Sequence, residues 1–172
     1  MGVTVSMSED TYQLPIHTPL GTFTATYTNR GLAKIVFPSF RPPLLTDLQL
    51  CPSKIKKWHR ITKRAIHTIL NGIAPREVPP LDLSPGSTFE CKVWKYLLKI
   101  PPGRTISYGA LAKAVTGSFK YARAVARACK KNPIPLVIPC HRVIYSNGTL
   151  GGYAPGKKWK RLLLQRESKI PS

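Results

Sequence analysis

Apolar and polar positions alternate along Thr22–Tyr27 and again along Leu32–Phe37, which predicts two β-strands. Asn29-Arg30-Gly31 lies between them, and Asn and Gly are the residues that supply the positive φ angles of a hairpin turn. A proline-rich loop, Pro38 to Pro43, follows. The period then changes. Ile55, Trp58, Ile61, Ala65, Ile66, Ile69 and Leu70 fall near helical spacing, so a helix is expected to about Leu70, capped by Ser53 and ended by Asn71-Gly72. Residues 74–87 are rich in Pro, Gly and Ser and read as a linker.

Beyond the linker the pattern is mostly helical. Thr88 is placed to cap a helix from Phe89 to about Ile100, with Phe89, Val93, Trp94 and Leu97 on one face and Pro101-Pro102-Gly103 as its stop. Ser107 is a good cap for a short helix from Tyr108 to Val115. Thr116-Gly117-Ser118 then makes a tight turn, and Ser118 can cap a helix from Phe119 to about Lys130. Two short helices joined by such a turn form the helix-turn-helix pattern, although many αα-corners share it and bind nothing. The second helix, FKYARAVARACKK, combines small Ala122, Ala124, Ala126 and Ala128 with cationic Lys120, Arg123, Arg127, Lys130 and Lys131. Small residues let a helix approach another surface closely, and the cations suit phosphates. Alanine is also simply the best helix former.

Charge sharpens this picture. The 172 residues carry 27 Lys plus Arg against 7 Asp plus Glu, a net charge of +20. Residues 1–90 hold 10 basic and 6 acidic side chains, whereas residues 91–172 hold 17 basic and one acidic, Glu167. A solvated face ordinarily mixes both signs, so a block this one-sided points to a polyanion, with nucleic acid ahead of membrane. A lysine-rich surface kept soluble by repulsion is the rival explanation. Hydrophobic residues make up 42% of the chain, enough for a core. No run of about 18 apolar residues exists, so no transmembrane span is expected. The opening MGVTVSMSEDTYQLP lacks a basic region followed by an apolar stretch, so no signal peptide is expected either.

Four cysteines, Cys51, Cys91, Cys129 and Cys140, form no C-x-x-C pair, which favours free thiols in a reducing interior. Cys91 and Cys129 fall inside predicted helices and read as core residues. Cys140 reads differently. It sits in LVIPCHRVI beside Pro139, His141 and Arg142, strange choices for a core strand. Burial makes a thiol inert, while a neighbouring base or cation makes the thiolate available. A Cys–His pair needs a third group to orient the imidazole, and Glu167 is the sole carboxylate in the last 82 residues.

IPCHRVI, preceded by ISYGALA, YARAV and NPIPLV and followed by GGY and LLLQRE, resembles the O6-alkylguanine-DNA alkyltransferases. The resemblance covers residues 88–172 almost continuously, and extends more weakly through TPLGTF, the hairpin and PLDL. It implies an α+β fold: a small N-terminal antiparallel sheet plus helix, ribonuclease H-like, over residues 1–84 with the linker. Residues 85–172 would then form a helical DNA-binding and alkyl-transfer domain with a winged-helix-like helix-turn-helix.

By the same resemblance, Cys140 is the alkyl acceptor and His141 the base that takes its proton through a water. Glu167 pairs with that imidazole, Asn132 braces the turn, and the Tyr108 phenol donates a hydrogen bond to the departing base. Val143, Gly152, Tyr153 and Ala154 fall in segments lining the guanine pocket. Arg123 enters the DNA stack in place of the extruded nucleotide, while Ser118, Tyr121, Ala122, Ala126 and Arg127 lie along the minor groove. The implied partner is double-stranded DNA containing O6-alkylguanine, and O4-alkylthymine as a further substrate. No cofactor is implied, no membrane, and a monomer that works cytoplasmically at a nucleoid or in a nucleus.

The thioether product has no hydrolytic exit, so the protein would be consumed in one turnover. Ala154 stands where many members carry a polar side chain, which opens the pocket to bulkier adducts. Some members bind zinc, but Cys51, His17, His59 and His67 lack tight ligand spacing and no metal is expected. Two rivals remain at this level: a module that binds alkylated bases without chemistry, and a Cys–His hydrolase or thiol-based regulator with a helix-turn-helix. On the charge alone, non-specific DNA affinity should be strong and should fall steeply with salt in a binding titration. A flat salt dependence would assign the excess charge to solubility instead.

Overall fold

The computed structural model describes residues 10–168; part of the opening segment read for a signal peptide lies outside them. Three strands, β1 (Tyr12–Thr18), β2 (Gly21–Thr28) and β3 (Gly31–Val36), form an antiparallel sheet in the order β1-β2-β3. Strand β1 escaped the alternation argument because Pro15 interrupts it. Proline has no N–H to donate, yet an edge strand tolerates it. The hairpin turn is tighter than expected. Thr28 pairs with Gly31, so Asn29-Arg30 alone forms the loop, with a register shift at Thr26/Tyr27. Asn29 does not adopt a positive φ; Gly31 does, at 153°. Glycine is needed there, because a Cβ on Gly31 would lie 2.2 Å from the Pro80 carbonyl oxygen.

That close approach corrects the linker reading. Leu32 N–H donates to the Pro80 carbonyl (2.8 Å) and Asp82 N–H to the Leu32 carbonyl (2.8 Å), so Leu81 runs as a parallel bridge beside β3. Buried Asp82 accepts from Thr28 Oγ1 (2.6 Å) and from Ser84 N–H (3.0 Å), which fixes the segment. Its polar composition reflected turns, not freedom.

Helix α1 (Ser53–Leu70) packs Ile55, Ile61, Ala65, Ile66 and Ile69 inward, as its periodicity requires. Pro52, not Ser53, takes the cap position, its carbonyl accepting from Lys56 N–H (3.1 Å), and Ser53 becomes the first helical residue. Likewise Ser87, not Thr88, caps α2 (Thr88–Leu97). Its Oγ accepts from Glu90 N–H and donates to Glu90 Oε1, both at 3.1 Å, and α2 stops at Leu97, short of Ile100. Strand β4 (Ile106–Ser107) leads into α3 (Tyr108–Thr116), capped by Ser107 as expected, and Gly117 ends α3 in the left-handed conformation. The expected Phe119–Lys130 helix divides into a 3-10 turn, Phe119–Tyr121, and α4 (Ala122–Lys130). Strand β5 (Val143–Ile144) pairs in parallel with β4, and α5 (Lys157–Ser168) closes the described chain. The architecture is thus mixed α/β, with a small antiparallel sheet and helices. No helix among the described residues is long and apolar enough to cross a membrane.

One buried cluster runs from the sheet into the helices. Phe23, Phe37 and Trp159 meet edge-to-face at centroid distances of 4.9, 5.0 and 5.6 Å, tying α5 to the sheet. Trp94 Nε1 donates to the Ala128 carbonyl (2.8 Å), tying α2 to α4. At the C-terminus of α1, Arg166 Nη1 donates to the Leu70 carbonyl (2.8 Å). A Cβ on Gly72 would lie 2.3 Å from the Arg166 carbonyl oxygen.

His59 is buried between α1 and the sheet. Its Nε2–H donates to the Pro15 carbonyl (3.1 Å), and its Nδ1 accepts from Tyr27 Oη (2.8 Å). Burial pushes its pKa down from 6.5 to about 4. Between those values the unfolded chain binds the proton and the folded chain does not. This contribution to stability is therefore complete above 6.5 and is lost as pH falls toward 4. His59→Gln should show a shallower fall of melting temperature between pH 7 and 4 than the parent. An unchanged slope would contradict this assignment.

Candidate active site

The apolar run around Cys140 is not one continuous strand; only its last two residues, Val143 and Ile144, pair as β5. Leu136 takes a positive φ of 77°, the only non-glycine residue to do so among those described. Cys140, His141 and Arg142 then form one 3-10 turn, all three buried. Cys140 N–H donates to the Ile138 carbonyl (2.8 Å) and Arg142 N–H to the Pro139 carbonyl (3.0 Å). Asn132 braces this turn from outside. Its Nδ2 donates to the Ile138 carbonyl (2.8 Å) and to Cys140 Sγ (3.2 Å), while its Oδ1 accepts from Ile134 N–H (2.9 Å).

Glu167 reaches the same turn from α5. Its Oε1 lies 2.7 Å from His141 Nε2 and 2.8 Å from Arg142 Nη2, and its Oε2 accepts from Arg142 Nε at 3.1 Å. Arg142 Nη1 also donates to the Ile100 carbonyl. The sequence singled out Glu167 and His141 but missed Arg142 as the second partner. It missed Lys160 as well, which is fully buried and donates through Nζ to the carbonyls of Val143 (2.6 Å) and Gly152 (3.2 Å). Helical spacing held the signal. Lys160, Leu163 and Glu167 recur at i, i+3 and i+7, and together they are the buried face of α5.

These surroundings set the protonation states. Burial pushes the Cys140 thiol up to about 11, against the smaller opposing pull of Asn132 and Lys160. Burial also pushes His141 down, an effect only partly offset by Glu167. Glu167 is itself raised by burial, but hydrogen bonds from His141 and Arg142 more than offset this and leave it below the ordinary value. A thiol thus faces neutral conditions beside a neutral imidazole and a carboxylate. With Nε2–H donating to Glu167, His141 Nδ1 keeps its lone pair, and that atom is buried without a hydrogen-bond partner among the described residues. Among the described residues no hydrogen bond joins His141 directly to Cys140.

Cys140 opens into a cavity of about 460 Å³ lined also by Tyr108, Cys129, Tyr145, Gly152, Tyr153 and Ala154, with Ala126, Arg127 and Lys130 toward α4. The β4–β5 pair places the first residue of α3, Tyr108, beside the turn. Burial raises its phenol to about 12. The Tyr145 ring lies tilted against Tyr108, 5.1 Å between centres, and Lys160 Nζ lies 5.8 Å from the Tyr108 ring centre. Among the described residues the buried Tyr153 hydroxyl has no hydrogen-bond partner. A second hollow shares Tyr108, Ala126 and Tyr145 and adds Ala122, Arg123 and Phe119.

Three expected residues sit elsewhere. Val143 points into the core and offers only its carbonyl, to Lys160. Ser118 caps the 3-10 turn through Lys120 N–H (3.3 Å). Tyr121 lines a separate recess with Phe89 and Ala124. Conversely Cys129, read as core, is buried yet lines the cavity beside Cys140. No group of three His, Cys, Asp or Glu side chains among the described residues is placed to hold a metal.

Residues 88–169 match the family model described as the DNA binding domain of 6-O-methylguanine DNA methyltransferase. The chain is 38% identical over 143 residues to a probable methylated-DNA–protein-cysteine methyltransferase of Acanthamoeba polyphaga mimivirus, covering 83% of this chain and 93% of that one. It is 35% identical over 154 residues to the bifunctional transcriptional activator/DNA repair enzyme Ada of Escherichia coli. That match covers 87% of this chain but only 43% of Ada, and several other curated relatives are matched over about half their length. Among solved structures, Mycobacterium tuberculosis O6-methylguanine methyltransferase superposes with a TM-score of 0.71 at 31% identity, covering 95% of this chain and 96% of that one. The same organism's OGT in complex with DNA gives 0.70 at 31%, covering 92% of each.

Arg142→Leu leaves Glu167 buried with His141 as its one side-chain partner. Breaking such a buried pair should cost about 3–5 kcal/mol in urea unfolding. Arg142→Lys should not restore the loss, because an ammonium cannot span Glu167 and the Ile100 carbonyl together. A loss below about 1 kcal/mol would show that the pair adds little.

Proposed function

The chain belongs to the methylated-DNA–protein-cysteine methyltransferase family, and we propose on that footing that it repairs DNA by moving an alkyl group from O6 of guanine, or O4 of thymine, onto Cys140. The observation that carries this reading is the placement of Cys140 in the cavity while its neighbour His141 is oriented by Glu167. His141 Nδ1 takes the Sγ proton through a water, which a thiol held near 11 requires at neutral pH. The thiolate attacks the alkyl carbon in line, forming the S–C bond as the C–O6 bond breaks. Tyr108 donates a hydrogen bond through its O–H to the departing base, and the proton taken from Sγ ends on that base, which leaves as a neutral species while the imidazole returns to its neutral form. Asn132 and Lys160 stabilise the developing thiolate, each through a contact or field already directed at Sγ. The sulfur keeps its alkyl group, so each molecule acts once.

The target carbon cannot be reached inside a duplex, so the base must rotate out at a cost of a few kcal/mol. Arg123, beside the second hollow, fills the vacated space, with Ala122 and Ala126 allowing close approach to the minor groove and Arg127 holding backbone phosphate. Gly152, Tyr153 and Ala154 then contact the extruded base, and Ala154 leaves room for adducts larger than methyl. This reading treats residues 1–84 as a ribonuclease H-like domain and residues 85–172 as a winged-helix-like one. The protein acts as a monomer wherever the DNA lies, nucleoid or nucleus.

Incubation with duplex containing O6-methylguanine should add one methyl group per chain by intact mass, localised to Cys140 by peptide mapping. Cys140→Ala should bind the duplex without gaining mass. A methyl on any other residue, or repeated turnover of an ester or amide, would overturn the reading.

A further inference from the structure

Helix α1 carries Lys54, Lys56, Lys57, Arg60, Lys63 and Arg64 and no acid. Five cation pairs stand at i,i+3 or i,i+4: 54/57, 56/60, 57/60, 60/63 and 60/64. Such like-charge neighbours destabilise a helix, and Arg60 takes part in four of the five pairs. Three cations are occupied, Arg64 by the exposed carboxylate of Glu77 and two by backbone carbonyls. Lys54 Nζ donates to the Asn29 carbonyl (3.0 Å) and Lys56 Nζ to the Gln49 carbonyl (3.3 Å). Lys57, Arg60 and Lys63 are exposed and have no partner among the described residues. With Arg64 they line a shallow hollow whose single carboxylate, Glu77, lies 3.3 Å from Arg64 Nη2 on an exposed rim.

The buried side of α1 rests on β1 and β2, whereas α4 rests on α2 and α3. The two basic helices are therefore carried by different layers of the molecule.

We propose that the exposed stripe Lys57–Arg60–Lys63–Arg64 is a second binding surface for the phosphate backbone of duplex DNA, separate from the surface formed by α4. Charge complementarity identifies the occupant as a polyanion, since four cations converge on one concave face with one acid among them. A phosphate lying along the stripe removes the repulsion that the helix otherwise bears. The choice of duplex DNA among polyanions rests on the alkyl-transfer reading. Contacts confined to phosphate carry no sequence information, so binding there is indifferent to sequence. Its effect is to hold the protein on undamaged DNA while the cavity meets successive bases.

The test compares Lys57→Gln/Arg60→Gln/Lys63→Gln with the charge-keeping Lys57→Arg/Arg60→Lys/Lys63→Arg and with Arg123→Ala. All three are titrated with a long undamaged duplex across a range of salt. The neutral triple variant should melt no lower than the parent, since it removes one or both charges of all five like-charge pairs. Its slope of log affinity against log salt should be shallower by about 0.9 for each phosphate that it no longer neutralises, and the charge-keeping variant should retain the parental slope. Parental slope in the neutral variant overturns the proposal, as does a change seen with duplex RNA and not with DNA. Intact mass is recorded in the same samples with an O6-methylguanine duplex. A shallower slope with Cys140 never alkylated supports the α1 surface while removing the catalytic reading. Normal alkylation with an unchanged slope removes only the α1 surface.

Discussion

The carboxylate of Glu167 is the constraint on which the site depends. It is buried, and it is engaged by an imidazole and a guanidinium at once. A buried charge that loses its partners is costly, so the turn at Cys140–Arg142 and the helix α5 must keep their relative position. That requirement fixes the His141 tautomer, because the ring nitrogen facing a carboxylate holds the proton. The other nitrogen is left basic. Two consecutive residues thereby serve one acid: His141 supplies the proton acceptor, and Arg142 keeps the acid ionised without drawing the proton from the imidazole.

Much of this was legible along the chain because it followed local rules. Helical periodicity marked α1 and α2, and Ser107 announced α3 by a side chain that bonds the third residue on. Glu167 stood out through charge, as the only acid in a basic half. The elements that escaped were those decided by distant partners. Pro15 disguised β1, which exists because β2 pairs with it. Leu81 lies beside β3 because Gly31 lets the Pro80 carbonyl approach, a contact across about fifty residues of sequence that no local pattern encodes. Caps slipped by one residue at Pro52 and Ser87, where neighbouring residues compete for the same role. Lys160 was hidden among other cations of its run, and only the face it shares with Glu167 distinguishes it. Cys129 satisfies two descriptions together, since a residue can be buried from solvent and still line a cavity.

The basic character of the chain also resolves into unlike parts. Arg142 and Lys160 are interior cations held by named acceptors, and they shape the protonation of the site. Lys54 and Lys56 are tethered to backbone carbonyls. The cations of α4 and of the outer face of α1 remain available to solvent. A net charge is therefore a poor summary of how this molecule interacts with anions. Location and existing partners decide which charges can act outwards.

The contact between Gly72 and α5 has a mechanical meaning. Arg166 and Glu167 are successive residues, and the backbone of that pair presses on the end of α1 closely enough that no side chain fits at position 72. The sheet-borne half of the chain thus serves as an abutment for the strut that carries the critical carboxylate. The segment from 88 to 169 contains every polar group of the site, but it does not contain everything that keeps them aligned. Severed from residues before it, the same chemistry would stand on an unsupported beam.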